Sequence, residues 1–271
     1  MHKQGDKMQQ IIYGMPTLIE TSTLSECANL CAELGLDFIE LNMNLPQYQL
    51  DKIDVNYFKS IADKYGIYYT IHLDENLNVC DFNSYVAEAY KKTVTNTIEI
   101  AKKLNVKVLN MHMSKGVYFT LPDRKIHLFS EYKKQYLDSI IVFKNMCEIA
   151  IGDTDIKICI ENCDGYEDFQ MEAIEILLES EVFALTFDVG HNHGIGGIDE
   201  EVIIKYKNCL KHIHLHDALG RKNHLALGTG EIDINKYINL ATEQKCSVVL
   251  ETKTIDGLRQ SVMWLKGVKN E

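Results

Sequence analysis

Short runs of apolar and β-branched residues alternate with amphipathic segments along the whole chain. Near-continuous apolar runs of this kind are typical of strands that are buried on both faces of a parallel sheet. The eight predicted strands are Ile11–Thr17, Asp37–Met43, Ile67–Leu73, Val106–Met113, Ile156–Asn162, Val182–Asp188, Cys209–His216 and Ser247–Thr252. The segments between them repeat their apolar residues at helical spacing, as Leu24, Cys27, Ala28, Cys31 and Leu34 do.

This alternation predicts one α/β domain over residues 1–271, because only three prolines and no Ser/Gly-rich linker interrupt it. Eight strand–helix repeats in a chain of 271 residues indicate a (β/α)8, or TIM, barrel, a fold that typically takes about 250 residues. The alternative is a doubly wound open sheet, whose first strand is usually followed by a Gly-rich phosphate turn. Here that turn reads MPTLIETS, without glycine, so we predict a single-domain TIM barrel. Asp233 is predicted to cap the helix that precedes the last strand.

Composition and charge limit the classes of protein and the binding partners that the chain could have. Hydrophobic residues make up 46% and charged residues 25% of the chain, which excludes a disordered, collagen-like or coiled-coil protein. The net charge of −11 argues against binding nucleic acid mainly through its phosphates. We find no signal peptide and no apolar run of about 20 residues, so we expect a cytoplasmic protein without a membrane partner. The eight cysteines form no CxxC pair and are expected to be reduced thiols.

Ionisable residues stand near the ends of six successive predicted strands, where a barrel places its catalytic groups. They are His72, His112, Glu161, Asp188, His214 and Glu251. An unpaired buried charge costs several kcal/mol, so a shared cation explains why so many converge. We name Glu161, Asp188, His214 and Glu251 the quartet. Its three oxygen ligands and one nitrogen ligand suit one divalent metal, Mn²⁺, Zn²⁺, Co²⁺ or Mg²⁺.

Each of these residues also has a simpler interpretation. Asp188 alone would serve as a cap, and Glu161 alone would pair with Lys253 or Arg221. A lone histidine such as His72 or His112 is more often a packed neighbour than a ligand. In HIHLH, alternation turns His212, His214 and His216 to one face, and a strand cannot place all three on one metal. We therefore expect His212 to lie deeper and His216 to lie beside the site.

The loops after the sixth and seventh predicted strands add candidate substrate contacts. His191 follows Asp188 by three residues, which is close enough for both side chains to face one pocket. Arg221 and Lys222 follow the seventh strand, and an arginine there is able to bind a carboxylate or a phosphate in fork geometry. The alternative for Arg221 is an exposed loop position without a ligand.

The blocks IEN, FDVGH, HIHLHDALG, HLALGTGEID and LETK together resemble the xylose isomerase-like barrel superfamily. This superfamily includes sugar phosphate isomerases and epimerases, ketose 3-epimerases and the endonuclease IV family. The resemblance is close from His72 to Glu251 and loose over the first two predicted strands. It implies that the quartet holds one metal, that Glu161 and Glu251 act as the acid/base pair, and that His191 contacts substrate. It also implies a substrate contact at Glu40.

In the endonuclease IV branch, the residues matching His72, His112, His191 and His224 join the quartet, with an aspartate two before His224, to hold three zincs. Lys222 occupies that aspartate position here, and a cation repels a third metal. A second zinc through His72, His112 and Glu161 stays open.

These observations lead to one hypothesis and two alternatives. We expect a metal-dependent sugar or sugar phosphate isomerase/epimerase that works through an enediolate, with Glu161 and Glu251 catalytic. The substrate contacts are predicted to be His191, Arg221, Glu40, His72, His112 and Lys222. The alternatives are an endonuclease IV-like zinc phosphodiesterase that acts on abasic DNA and a non-catalytic sugar-binding barrel. A homo-oligomer is expected by analogy with relatives.

Overall fold

The computed structural model describes residues 11–268, which form a closed barrel of eight parallel strands. The strands are β1 (Ile12–Pro16), β2 (Phe38–Asn42), β3 (Tyr68–His72), β4 (Val108–His112), β5 (Lys157–Glu161), β6 (Phe183–Asp188), β7 (Leu210–Leu215) and β8 (Ser247–Leu250). Each strand pairs with its neighbours in the sequence, and β1 pairs with β8 to close the ring. The predicted α/β barrel is therefore confirmed. The expectation that the chain carries no signal peptide concerns residues 1–10, which lie outside the described part.

Helices follow the strands and cover the barrel. They are α1 (Leu24–Leu34), α2 (Val55–Tyr65), α3 (Ser84–Leu104), α4 (Leu128–Glu131), α5 (Lys133–Ile151), α6 (Asp168–Leu178), α7 (Val189–Gly194), α8 (Glu200–Lys205), α9 (Ile234–Gln244) and α10 (Ile255–Val268). Asp233 accepts a hydrogen bond from the backbone N–H of Lys236 and caps α9, as predicted. Within residues 11–268, no helix combines the length and apolar character needed to cross a bilayer.

Two β-hairpins were not expected from the apolar pattern. The first, Tyr118–Thr120 with Lys125–His127, follows β4, and the second, Asp217–Leu219 with Lys222–Leu225, follows β7. Asp217 anchors the second hairpin, because its carboxylate accepts hydrogen bonds from the backbone N–H groups of Gly228, Gly230 and Ile232 at 2.8–3.1 Å. The GTG turn in HLALGTGEID is thus tied to the end of β7, and this fixes the loop beside the barrel mouth.

The cysteines belong mainly to the packed interior. All eight are free thiols, and Cys27 and Cys31 are fully buried on the inner face of α1, as their helical spacing predicts. Burial raises the pKa of the Cys159 thiol to about 12, because the charged thiolate is disfavoured away from water. These side chains therefore act as small apolar residues, and the candidate chemistry rests on carboxylates and imidazoles.

Candidate metal centre

The quartet meets at the carboxyl end of the barrel. Glu161 and Asp188 are the last residues of β5 and β6, His214 lies on β7, and Glu251 directly follows β8. One ligand atom from each lies within 4.8 Å of the others, and all four residues are buried. Around Nδ1 of His214, the nearest oxygen of Glu161 is at 3.2 Å, that of Glu251 at 3.4 Å and that of Asp188 at 3.9 Å.

The charges of the quartet favour a cation at this position. Burial alone would raise the pKa of Glu161, but the imidazoles of His214 and His112 hold that pKa well below its usual value. The pKa of Glu251 is likewise lowered against burial, by His214 and Lys253. Among the described residues, Oε2 of Glu251 has no hydrogen-bond partner. Three buried carboxylates around one imidazole nitrogen, one with an unpartnered oxygen, fit a divalent metal such as zinc or manganese.

Asp188 is held by contacts on three sides. Its backbone N–H donates to Oδ1 of Asn162 at 2.8 Å, and its own Oδ1 accepts from the N–H of His191 at 2.6 Å. Asp188 therefore caps α7 and belongs to the quartet at the same time. Nε2 of His216 lies 3.1 Å from Oδ1 of Asp188. Gly190 packs directly on that ring, because a Cβ at this position would lie 2.0 Å from Cε1 of His216.

His72 and His112 approach the quartet from β3 and β4. Their Nε2 atoms lie 3.4 Å and 3.0 Å from Oε2 of Glu161, an oxygen to which Asn110 also donates. Burial lowers the pKa of His72, but the contact with Glu161 outweighs it and raises that pKa to about 9. The structure thus brings both predicted histidines to the same oxygen of Glu161, Oε2.

Glu40 and His212 lie beneath the quartet. Oε2 of Glu40 is 3.0 Å from Nε2 of His212, and Oε1 is 2.9 Å from Nε2 of His214. Glu40 is 1% exposed, so its carboxylate faces imidazoles inside the barrel. His212 is the deeper histidine of HIHLH, as expected. Nothing in the sequence around β2 signals the contact, because Glu40 and His212 are 172 residues apart.

A second group of imidazoles lies above Asp188. Ligand atoms of His191, His216 and His224 are within 4.8 Å of one another. Both nitrogens of His216 already have partners, since Nδ1 accepts the backbone N–H of His224 at 2.8 Å and Nε2 faces Asp188. A metal held by these three rings would have to displace one of these partners. Lys222 lies exposed on the second hairpin.

Two clefts open beside the quartet. The Arg221 cleft, about 540 Å³, is lined by Cys163, Asp164, His191, Arg221 and Asn223, among others. The Lys253 cleft, about 340 Å³, is lined by Thr17, Asn42, Asn44, Glu75 and Lys253, among others.

Each cleft is joined to the quartet by one side chain. Nδ1 of His191 lies 3.4 Å from Oδ2 of Asp188, and Nζ of Lys253 lies 2.8 Å from Oε1 of Glu251. The sequence offered Lys253 only as a partner for Glu161, whereas the structure pairs it with Glu251. Its place two residues after Glu251 in LETK was the available signal, because that position also follows β8 at the barrel mouth.

The fold and the motifs define a family. A family model described as xylose isomerase-like TIM barrel matches residues 28–268, and the chain belongs to that family. The resemblance drawn from the motifs is thereby confirmed. Among curated proteins, the chain is 26% identical over 225 residues to "Uncharacterized protein MJ1188" of Methanocaldococcus jannaschii, covering 79% of this chain and 77% of that protein.

Solved structures share the barrel. A D-tagatose 3-epimerase-like protein matches with a TM-score of 0.78 and 23% identity, over 96% of this chain and 97% of that chain. The IOLI protein with a binding zinc atom matches with a TM-score of 0.73 and 16% identity, over 95% of this chain and 98% of that chain. At these identities the comparison establishes the common fold, and the chemistry has to be argued from the residues of this chain.

Proposed function

We propose that this protein is a divalent-metal-dependent isomerase or epimerase of a sugar or a sugar phosphate. The observation that carries the proposal is the buried quartet, in which Glu161 and Glu251 reach one ion position from β5 and β8. The names of the structural neighbours support it, since one is a D-tagatose 3-epimerase-like protein and another a D-psicose 3-epimerase with D-tagatose.

The quartet would hold one ion, Mn²⁺, Zn²⁺, Co²⁺ or Mg²⁺, and the IOLI protein with its zinc atom supports this assignment. A bound divalent cation would polarise a substrate carbonyl and stabilise the enediolate that forms beside it. A second zinc would use His72, His112 and Glu161, since Oε2 of Glu161 lies 3.4 Å and 3.0 Å from the Nε2 atoms of the two histidines.

Glu161 and Glu251 are assigned the proton transfers. Their pKa values are lowered against the effect of burial, by His214 and His112 for Glu161 and by His214 and Lys253 for Glu251. Both are therefore carboxylates at neutral pH and able to accept a proton from the carbon next to a carbonyl. The strands that bear them are separated by β6 and β7, so the two groups approach from different sides. Return of the proton to the opposite face of the same carbon gives an epimer, and return to the adjacent carbon gives an isomer.

The remaining predicted contacts are assigned by their place around the quartet. His191 and Arg221 line one cleft, and Arg221 forms no ion pair with any residue from 11 to 268, so its guanidinium is available to a phosphate or to hydroxyls. His72 and His112 lie against Glu161, within reach of a substrate oxygen. Lys222 is assigned a weak, long-range attraction because it is exposed on the second hairpin.

Solvent exchange tests the proposal directly. Protein loaded with Mn²⁺, Co²⁺ or Zn²⁺ is incubated in deuterated water with ketoses, inositol-derived ketones and their phosphates, and each product is analysed by mass spectrometry. We expect deuterium to enter one compound at a single carbon. Three zincs per chain with nicking of abasic DNA would instead establish the phosphodiesterase alternative. Saturable sugar binding without exchange would establish a non-catalytic barrel.

A further inference from the structure

A column of side chains crosses the barrel interior beneath the quartet. Oγ of Ser247 lies 2.6 Å from Nδ1 of His212, whose Nε2 lies 3.0 Å from Oε2 of Glu40. The other oxygen of Glu40 lies 2.9 Å from Nε2 of His214. Because β2 and β7 are separated by β1 and β8 in the sheet, these contacts pass through the interior and not along neighbouring strands.

The contacts in this column fix the hydrogen of His212 and suit one tautomer of a metal-bound His214. A carboxylate only accepts, so Nε2 of His212 carries the hydrogen that it donates to Glu40. If Nδ1 of His214 binds a metal ion, the hydrogen of that ring lies on Nε2, which faces Oε1 of Glu40 at 2.9 Å. Nδ1 of His212 then accepts from the hydroxyl of Ser247. Nδ1 of His214 lies 3.2 Å and 3.4 Å from the nearest oxygens of Glu161 and Glu251, so a metal ion held by these carboxylates would lie next to its lone pair.

We infer that Glu40 is a positioning residue, which fixes the tautomer and ring orientation of His214 so that Nδ1 is presented to a metal ion. His212 in turn holds Glu40. This inference rests on the proposed function only in requiring an ion at the quartet, and it replaces the substrate contact that the family resemblance implied for Glu40.

The burial of Glu40 supports a positioning role over a purely structural one. The residue is 1% exposed, and its carboxylate is surrounded by His212, His214 and the hydroxyl of Thr70. Replacing a buried charge by a well-packed apolar group is often neutral or stabilising for a fold. A carboxylate at this depth is therefore explained by its partner His214, since metal-ligating histidines almost always donate their other N–H to such a group.

Metal titration tests this inference without reference to activity. Wild-type protein and E40Q are titrated with Co²⁺ alone, and the dissociation constant and the visible absorption spectrum are recorded. We expect E40Q to bind Co²⁺ about 10- to 100-fold more weakly, with an altered spectrum. T70V is the matched control, because it removes a neighbouring 3.1 Å hydrogen bond to Glu40 and leaves both imidazole contacts in place. Its Co²⁺ affinity should stay close to that of wild type.

Separate outcomes address the inference and the proposed function. Wild-type affinity and spectrum in a folded E40Q would overturn the positioning role and leave the quartet intact as a metal site. Failure of the wild-type protein to bind Co²⁺ would overturn both. E40D and H212N complete the test if E40Q does not fold. H212N should weaken Co²⁺ binding, E40D should retain more affinity than E40Q or H212N, and wild-type behaviour in both would contradict the inference.

Discussion

The two clefts at the barrel mouth share the quartet but use their cations differently. In the Lys253 cleft, the ammonium group forms an ion pair with Glu251, and the amide of Asn44 donates a hydrogen bond to Glu75 at 3.2 Å. In the Arg221 cleft, the guanidinium has no ion-pair partner within residues 11–268. An anionic substrate group therefore meets an uncommitted cation only beside Arg221, while Glu75 repels anions on the other side. If the proposed substrate carries a phosphate, we expect that group in the Arg221 cleft and neutral hydroxyls in the Lys253 cleft.

The largest effect is expected from Glu251, which serves the quartet and borders the Lys253 cleft through Lys253. E251Q removes the charge of a proposed base and metal ligand, so deuterium exchange should fall by at least about 10³-fold. The comparison variant is E75Q, which changes a carboxylate of the same cleft that has no contact with the quartet. Exchange at the wild-type rate in E251Q would remove Glu251 from the mechanism.

The next effect is expected at Arg221. A charged hydrogen bond contributes about 1.5–3 kcal/mol, so R221A should raise the KM for a phosphorylated substrate by about 10- to 100-fold. The KM for the same sugar without its phosphate should change much less, and kcat should be retained for both. Steady-state kinetics on the matched pair of substrates measures this, and equal losses on both would show that the Arg221 cleft does not select for phosphate.

A smaller effect is expected at Lys253, whose ammonium holds one oxygen of Glu251 at 2.8 Å. K253M should lower kcat by about tenfold, because the loss of one charged hydrogen bond frees the Glu251 carboxylate to rotate. K253R keeps the charge and should recover most of the rate. A rise in KM for phosphate without a change in kcat would mean that Lys253, and not Arg221, binds the anionic end.

The smallest effect is expected at Lys222, which is exposed and close in sequence to Arg221. Isolated surface charges act weakly and are screened by salt. K222A should therefore change the KM for a phosphorylated substrate by about twofold at low salt, with no difference at high salt. A loss comparable to that of R221A would place Lys222 in the cleft as a direct ligand.

The sequence predicted the barrel and the quartet because both follow from local pattern. The apolar runs marked all eight strands, and residues at strand ends meet wherever parallel strands close into a ring. The two hairpins were not predicted, because strands of three or four residues are too short to show a clear alternation of apolar and polar residues. The contact of Glu40 with His214 was not predictable either, because it depends on how side chains from non-adjacent strands layer inside the barrel.

Gly190, the glycine of FDVGH, packs so closely on His216 that there is no room for a side chain at this position. Gly190 has no unusual backbone angle, yet a methyl group there would overlap the ring that steadies Asp188. A laboratory-evolution library aimed at new substrates should therefore keep this codon fixed and diversify the solvent-facing cleft positions. We expect most clones altered at 190 to lose the proposed metal site before any new specificity is sampled.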